Sequence, residues 1–200
     1  MKISGENIMI ILSSPSGVGK TTLTKKLQQK YQNINISVSH TTRSPRSNEV
    51  DGVDYNFVSK KKFEEMINQN EFYEYAKIFE NYYGTSKKNV NKILKKNDII
   101  FDIDWQGTKQ LSDYKNSNII KLFLITDSKN ELKRRLLKRD QNTKEEVEKR
   151  YNSFNEDIMH WKDYDYIIIN KNLEVCFNHI EKIIQNFKKN YFSSNNSVIL

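Results

Sequence analysis

Residues 8–21 read IMIILSSPSGVGKT, and this stretch decides the fold. The apolar run 8–12 is short, branched and followed by polar residues, which predicts a fully buried parallel strand. After Gly19 the sequence KTTLTKKLQQKY places Leu23 and Leu27 four residues apart. A helix is therefore expected to begin at the glycine loop and to pack its apolar stripe on the sheet. Strand, glycine loop and helix follow in the order that phosphate binding requires.

The loop after this strand matches the phosphate-binding P-loop. Gly19, Lys20 and Thr21 fit the pattern, and Ser14 stands where the strict pattern has its first glycine. Gly17 and Gly19 allow successive backbone N–H groups to turn towards one anion, next to the positive end of the helix dipole. Lys20 is expected to reach the β- and γ-phosphates, and Thr21 to bind Mg²⁺. The predicted residues for the nucleoside triphosphate are Ser14, Pro15, Ser16, Gly17, Val18, Gly19, Lys20, Thr21 and Thr22.

Further along the chain, apolar runs alternate with helical spacing. Buried strands are predicted at 98–104 and 119–125 and a further strand at 166–170, and each is followed by a helix. Because strands that alternate with helices form parallel sheets, the fold class is α/β, with a parallel core sheet flanked by helices. Residues 35–85 break the alternation with short aromatic strands around one helix near 60–70. This segment is predicted to be an inserted mixed α+β lobe.

Length, charge and cysteine content limit the class of protein. Two hundred residues, of which 36% are hydrophobic, can bury one substantial core. The formal net charge of +8 suits a partner that carries phosphate, either a nucleotide or a nucleic acid. The single cysteine, Cys176, excludes an internal disulfide framework and fits a reducing, cytoplasmic setting. No run approaches about 20 apolar residues, so no segment is predicted to span a membrane.

The segment SVSHTTRSPRSNEVDGVDYNF, residues 37–57, resembles the monophosphate-binding segment of the guanylate kinases. With ENYYGT at 80–85, FDIDWQG at 101–107 and the P-loop, the similarity covers about residues 8–185. The resemblance implies transfer of the γ-phosphoryl group of ATP to GMP, and also to dGMP, with Mg²⁺ as cofactor and a place in purine nucleotide metabolism. It implies ATP and GMP as partners, no nucleic acid, and is compatible with self-association.

A cluster of basic and phenolic side chains is expected to bind the phosphate of GMP. Arg43 and Arg46 lie three residues apart in an extended, proline-containing turn, and guanidinium groups bind phosphate oxygens bidentately. Tyr55 and Tyr83 can each donate a hydroxyl to the same phosphate. The resemblance adds Glu49 to this GMP-binding set. Surface solvation of the arginines and core packing of the tyrosines are the alternatives.

Guanine presents N–H donors at N1 and N2, which a carboxylate can accept. Glu74 and Asp104 resemble the family's guanine-recognising pair, with Ser39 and Thr85 supplying hydroxyls to the base. Thr85 stands where the family usually has serine, and its extra methyl group crowds the pocket. Asp102 and Asp104 lie two apart on one strand, so both side chains point the same way at its carboxyl end, where α/β sheets bind ligands. By resemblance Asp102 supports the metal and the phosphate-binding arginine; the alternative is a cap on the next helix.

Three arginines, Arg135, Arg139 and Arg150, flank a polar segment and resemble the family's lid, whose arginines close onto ATP. Asn170 resembles a family position near adenine, although an asparagine there equally fits a cap for the final helix. Phosphoryl transfer relies on positioning, Mg²⁺ and cations that neutralise the transferred group. The predicted catalytic residues are Lys20, Arg43, Asp102, Arg135, Arg139 and Arg150.

The resemblance divides the chain into parts of one domain, residues 1–200. The core is expected at about 1–34, 86–128 and 160–190, the GMP-binding lobe at about 35–85 and the helical lid at about 129–159.

Three other functions are alternatives to the kinase activity that the resemblance implies. Scaffold domains of this fold bind peptides, but they generally have an eroded P-loop, whereas Lys20 and Thr21 are present. A nucleic-acid binder should show a basic stripe with exposed aromatics, and here the lysines are spread among acidic residues. A kinase for AMP is disfavoured, because two carboxylates would repel the N1 acceptor of adenine.

The three histidines show no metal-binding spacing, and Trp105 and Trp161 are expected to be packing groups.

Overall fold

The computed structural model describes residues 7–114, 118–137 and 144–196. The strands are β1 (Met9–Ser13), β2 (Ile34–Ile36), β3 (His40–Thr41), β4 (Asn56–Phe57), β5 (Phe72–Ile78), β6 (Asn81–Ser86), β7 (Asp98–Asp102), β8 (Ile119–Ile125) and β9 (Tyr166–Ile169). The helices are α1 (Lys20–Lys30), α2 (Lys60–Asn68), α3 (Lys87–Leu94), α4 (Trp105–Ser112), α5 (Lys129–Leu137), α6 (Lys144–Met159) and α7 (Leu173–Asn196), with a 3-10 helix at His160–Asp163 between α6 and β9.

The larger sheet is parallel and has the strand order β2-β7-β1-β8-β9. Its central strand β1 pairs with β7 and β8, so that Met9 lies opposite both Ile99 and Ile119. Every residue of β1 is buried, because helices cover both faces of the sheet. The predicted α/β class with a parallel core sheet is confirmed.

Two apolar clusters fill the space between this sheet and its helices. One face packs against α1, α5, α6 and α7, through residues such as Leu23, Leu132 and Phe177. The other packs against α3 and α4, through Val90 and Leu111. The fold therefore has three layers, and the carboxyl ends of the strands are left open to a ligand.

A second sheet of the described chain has the strand order β4-β3-β6-β5. Strands β5 and β6 form an antiparallel hairpin, and α2 packs on it through Phe63, whose ring stacks on Phe72 and Tyr82. Helix α2 begins where the Ser59 hydroxyl accepts a hydrogen bond from the backbone N–H of Lys62. The predicted helix near 60–70 and the aromatic strands around it are confirmed.

The element ends differ from the sequence prediction in two places. Strand β7 ends at Asp102 rather than at residue 104, because Asp104 caps α4 with its side chain. The spacing of the apolar residues from 173 to 187 predicts one buried helix face that includes Leu173 and Cys176, yet Leu173 is 38% exposed at the first position of α7. Cys176, in contrast, is buried as predicted. No helix among the described residues is both long and apolar enough to cross a membrane.

Candidate active site

The P-loop turns through two glycines in the left-handed region of backbone space. Gly17 has φ of +88° and Gly19 has φ of +108°, a conformation that costs little only for glycine. Asn70 and Phe79 are the non-glycine residues with positive φ in the described part of the chain, so Ser14 needs no left-handed conformation. Serine is therefore tolerated where the strict pattern has glycine, and its hydroxyl donates to the carbonyl of Pro15 at 2.9 Å.

Lys20 and Thr21 both contact Asp102 at the end of β7. The Lys20 Nζ lies 2.5 Å from Asp102 Oδ1 and donates to the carbonyl of Ile103 at 3.1 Å. The Thr21 hydroxyl donates to Asp102 Oδ2 at 3.0 Å. Asp102 thus brings together the cation and the hydroxyl of the P-loop, and it does not cap α4.

Three side chains from distant elements reach the backbone or hydroxyls of the P-loop. Arg135 Nη1 donates to the carbonyl of Val18 at 3.2 Å, and Asn170 Nδ2 donates to the same carbonyl at 2.7 Å. Arg150 Nη1 donates to Ser16 Oγ at 3.0 Å. Arg139 lies outside the described residues.

Two details refine the predicted set for the triphosphate. Val18 is fully buried in the core, so only its backbone faces the loop. The cap of α7 comes from Asn172, whose Oδ1 accepts from the backbone N–H groups of Glu174 and Val175. Asn170 is therefore not the cap of α7. Of the two alternatives, its hydrogen bond to the P-loop is the one that the structure shows.

Arg43, Arg46 and Glu49 form one hydrogen-bonded group. Arg43 Nη2 donates to Glu49 Oε1 at 2.9 Å, and the backbone N–H of Arg46 donates to Glu49 Oε2 at 2.8 Å. Burial alone would raise the pKa of Glu49, but these hydrogen bonds from Arg43 and Arg46 outweigh burial and lower it. The carboxylate therefore stays charged and holds both arginines in place.

Tyr55 and Tyr83 lie beside this group. Their ring centroids are 6.0 Å apart, and the Arg43 guanidinium lies 5.4 Å from the Tyr55 ring centroid. Burial, followed by the charge of Asp102, raises the pKa of Tyr55, so its hydroxyl remains protonated and can donate. The described residues thus bring two arginines and two phenols together, as the sequence predicted.

Glu74 is a buried carboxylate, only 3% exposed, in the middle of β5. Its Oε1 has no hydrogen-bond partner among the described residues. Burial raises the pKa of Glu74 to about 7; hydrogen bonding from Thr85 opposes the rise, and the charge of Asp104 adds to it. The hydroxyls of Ser39 and Thr85 lie 3.3 Å apart next to it, so the methyl group of Thr85 is accommodated without displacing its hydroxyl.

Asp104 is held by the first turn of α4. Its Oδ1 accepts from the backbone N–H of Gly107 at 3.0 Å, and its Oδ2 accepts from Gln106 Nε2 at 3.2 Å. The cap that was considered for Asp102 is therefore formed by Asp104 instead. The side chain remains fixed beside Glu74, since it lies close enough to raise the pKa of that carboxyl.

Sequence reasoning missed two residues that shape this pocket. A Cβ atom at Gly107 would lie 2.4 Å from Glu74 Oε2, so only glycine leaves room for the carboxylate. Gln110 holds α4 against β5 through two hydrogen bonds. Its Oε1 accepts from the backbone N–H of Tyr75 at 3.1 Å, and its Nε2 donates to the carbonyl of Tyr75 at 2.7 Å. Gly107 was within reach of sequence analysis, since it ends the motif FDIDWQG. Tyr75 flanks Glu74 in the strand, and this alternation predicts a core position for its side chain, but it is 40% exposed.

The donor set at the P-loop fits Mg²⁺. Thr21 and Asp102 offer a hydroxyl and a carboxylate within 3.0 Å of each other. Mg²⁺ prefers oxygen ligands and binds through one or two protein groups together with phosphates and waters. No group of three or more His, Cys, Asp and Glu side chains that could hold a metal ion is present among the described residues.

Comparison with known proteins identifies the family. The sequence profile described as guanylate kinase matches residues 6–187. A guanylate kinase of Paramagnetospirillum magneticum is 42% identical over 91% of this chain and 86% of the relative, and one of Clostridioides difficile is 41% identical over 98% and 95%.

Solved structures agree with the sequence relatives. The guanylate kinase of Anaplasma phagocytophilum superposes with a TM-score of 0.75 at 31% identity, over 91% of this chain and 86% of that one. A fragment of tight junction protein 3 superposes with a TM-score of 0.51 at 12% identity over 94% of this chain and 60% of that one, which shows the shared fold alone. The P-loop, the arginine and tyrosine group and the paired carboxylates thus occur in a chain that belongs to the guanylate kinase family.

Proposed function

We infer that the chain transfers the γ-phosphoryl group of ATP to GMP, giving ADP and GDP. The observation that carries this inference is the contact of Lys20 with Asp102 and with the carbonyl of Ile103. Asp102 and Ile103 directly precede Asp104 in the sequence, and Asp104 is one of the two carboxylates of the base pocket. The triphosphate site and the base pocket therefore meet at the end of one strand, as transfer between two bound nucleotides requires.

We propose that the P-loop residues from Ser14 to Thr22 bind the phosphates of ATP. The two left-handed glycines, Gly17 and Gly19, support this role, because they turn backbone N–H groups towards one point at the start of α1. Lys20 would leave Asp102 to contact the β- and γ-phosphates. Asn170, which already contacts the backbone of the loop, is proposed to line the adenine side of the site.

We propose that Arg43, Arg46, Tyr55 and Tyr83 bind the phosphate of GMP. Glu49 is assigned to the same site as the group that holds both arginines. Burial of Tyr55 supports the assignment, because a protonated phenol next to a guanidinium can donate to a phosphate oxygen. Arg43 would then be the cation closest to the transferred group.

We propose that Glu74 and Asp104 recognise guanine through its N1 and N2 donors, with Ser39 and Thr85 at the base edge. The buried Oε1 of Glu74 supports this role, because a buried acceptor without a partner costs free energy until a donor arrives. Adenine offers an acceptor at N1 and would leave that group without a partner. The lobe that contributes Ser39, Glu74 and Thr85 to this pocket is proposed to be about residues 35–85 of one domain, with Asp104 contributed by the core.

In the proposed mechanism the phosphate of GMP attacks the γ-phosphorus of ATP directly, and no side chain acts as a strong base. Lys20, Arg43, Arg135 and Arg150 neutralise charge on the transferred group, which supplies most of the acceleration. Arg135 and Arg150 already contact the P-loop from α5 and α6, the proposed lid at 129–159. Closure would also exclude water, which competes with GMP for the phosphoryl group.

A magnesium ion is proposed to bind at Thr21, with Asp102 in support. When bound, it would supply positive charge beside the phosphates of ATP and so help to neutralise the charge that develops during transfer. Acceptance of dGMP, a place in purine nucleotide metabolism and a cytoplasmic location also remain proposals, the last of them resting on the single cysteine.

A coupled assay of ADP release tests the function. ATP and Mg²⁺ are supplied with GMP, dGMP, AMP, CMP, UMP or no acceptor in parallel. Turnover is expected with GMP and dGMP and not with the other acceptors, and hydrolysis without an acceptor should be slow. A folded protein that turns over with AMP as fast as with GMP, or that releases ADP no faster with GMP than without an acceptor, would refute the proposal.

A further inference from the structure

An aromatic stack joins the guanine side of the site to the end of the proposed lid. Trp105 is the first residue of α4 and directly follows Asp104. Its indole lies flat against the imidazole of His160, with ring centroids 3.6 Å apart and 7° between the ring planes. His160 begins the 3-10 helix that follows Met159, the last residue of α6. The stack therefore connects the helix that fixes Asp104 to the helix that carries Arg150.

A second contact anchors the chain just beyond the stack. The hydroxyl of Tyr164 donates to Thr108 Oγ1 at 3.0 Å, and both side chains are buried. The side chain of His160, in contrast, is 29% exposed. The buried hydrogen bond fixes the segment after the 3-10 helix to α4, and the stack is the outer of the two contacts, nearer to α6.

The stack lies next to one end of α6, and Arg150 lies further along the same helix. A small change in the angle of α6 at the stack therefore displaces Arg150. Arg150 lies ten residues before His160 in the sequence, a distance of about 15 Å along a helix. A rotation of about 10° at the stack would move Arg150 by about 3 Å over that length. Arg150 donates to Ser16 of the P-loop, and displacements of about 1 Å are enough to slow a positioned reaction.

The carboxyl of Asp157, near the end of α6, is influenced by charged side chains of the active site. Asp157 is partly buried there, and burial followed by the charge of Asp104 raises its pKa to about 6, while Lys20 opposes the rise. The end of α6 therefore carries a partly buried carboxyl that the charges of Asp104 and Lys20 both influence.

We propose that the stack of Trp105 on His160 is a positioning joint, which sets the angle of α6 and so places Arg150 over the P-loop relative to Asp104. The proposal deepens the proposed function, on which it rests, because it assigns no contact with either nucleotide to Trp105 or His160. Both are positioning residues. Their flat contact is the feature that matters, so another flat ring at residue 160 should replace the imidazole.

The test uses kinetics, binding and fluorescence on the whole chain. His160→Ala removes the ring, His160→Phe restores a flat ring, and Trp161→Phe is the matched control, because Trp161 is the exposed neighbour and is not part of the stack. The chain has two tryptophans, so Trp161→Phe also leaves Trp105 as the sole indole fluorophore. Each variant is measured for kcat, for KM of both nucleotides, for the dissociation constant of GMP without ATP, and for thermal unfolding.

The proposal predicts that His160→Ala lowers kcat on the order of tenfold, since Arg150 is displaced from its productive position. The dissociation constant of GMP alone should stay within about twofold, because the pocket itself is untouched. His160→Phe should recover most of kcat. In the Trp161→Phe background, Trp105 emission should change when GMP and a non-hydrolysable ATP analogue bind together, and the change should disappear with His160→Ala.

Three outcomes would overturn the joint. The first is an unchanged kcat in His160→Ala. The second is an equal loss in His160→Phe and His160→Ala, and the third is a loss of GMP binding as large as the loss of kcat. If His160→Ala does not fold, His160→Leu takes its place, since it fills a similar volume without a flat ring. Lack of GMP-dependent turnover in the unchanged protein would instead refute the proposed function.

Discussion

The P-loop and the guanine pocket are assembled in opposite ways. The P-loop groups come from eight consecutive residues, 14–21, between one strand and one helix. The pocket collects its residues from four separate segments: Glu74 and Thr85 lie on β5 and β6 of the second sheet, Ser39 precedes β3, and Asp104 caps α4. A local motif is fixed by its own backbone, whereas the pocket depends on how the second sheet packs on α4. The two regions should therefore respond differently to substitution.

The largest effect is expected in the P-loop, from Lys20→Met. The change removes the cation that would neutralise the transferred phosphoryl group, so kcat should fall on the order of a hundred- to a thousandfold. The measurement is GMP-dependent ADP release at saturating nucleotide. Lys26→Met on the same helix, whose charge pairs with Glu174 far from Asp102, is the control and should retain activity. Equal activity in both variants would remove the P-loop lysine from the mechanism.

The matching change in the pocket is Asp104→Asn. Asparagine is as good a helix cap as aspartate, so the bond from Gly107 N–H and the start of α4 should persist. The lost charge should raise KM for GMP on the order of tenfold or more and leave KM for ATP nearly unchanged. Asp113→Asn, at the other end of α4, is the control. An equal rise of both KM values would contradict the assignment to guanine.

The pocket should also respond to pH where the P-loop does not. Because the pKa of Glu74 is raised to about 7, its carboxyl must lose a proton before it can accept both guanine donors. The dissociation constant of GMP should therefore rise as the pH falls below about 7, by up to about tenfold per pH unit. Glu74→Gln should bind GMP more weakly and without this pH dependence. Calorimetric titrations between pH 5.5 and 8.5 measure the dissociation constant of GMP for both proteins. A pH-independent dissociation constant in the unchanged protein would contradict the account.

The same pKa has a consequence for folding with the opposite sign to that of a paired carboxylate. The folded state holds the proton of Glu74 more tightly than the unfolded chain does. Its contribution to stability is therefore present below the ordinary pKa of glutamate and is lost as the pH rises towards about 7. Glu74→Gln should flatten this part of the pH dependence of the free energy of unfolding.

The smallest effect is expected from Gly107→Ala, which tests the packing between α4 and β5. The added Cβ would meet Glu74 Oε2 at 2.4 Å, so the carboxylate must shift within a closed pocket. KM for GMP should rise by roughly three- to tenfold, with kcat and KM for ATP less affected. Lys109→Ala, an exposed change on the same helix, should leave both KM values unchanged. A normal KM for GMP in Gly107→Ala would show that Glu74 has room to move.

The same contrast explains what could be predicted from sequence. The strand, loop and helix around Lys20 were predictable because their signals are local: an apolar run, two glycines and helical spacing. The helix at 60–68 was predictable for the same reason, through the spacing of Phe63 and Met66. Periodicity did not predict that Leu173 is exposed, because periodicity identifies a face of the helix and not how much of its first turn is covered.

Contacts between distant residues were out of reach without the fold. Sequence placed Asp102 and Asp104 on one strand, whereas the structure shows Asp102 bound to Lys20 and Thr21 at the strand end and Asp104 capping α4 beyond it. The stack of Trp105 on His160 joins residues from different elements, and neither residue alone carries a signal for it. The roles assigned to the site residues stay predictions until they are tested.

The most direct test of the central claim is to measure the binding of each nucleotide to the two halves of the site separately. Calorimetry would give the dissociation constants of GMP and of a non-hydrolysable ATP analogue for the unchanged protein, Lys20→Met and Asp104→Asn. The account predicts that Lys20→Met weakens the ATP analogue and spares GMP, and that Asp104→Asn does the reverse. If either substitution weakens both ligands equally, the phosphate loop and the guanine pocket are not the separate halves described here.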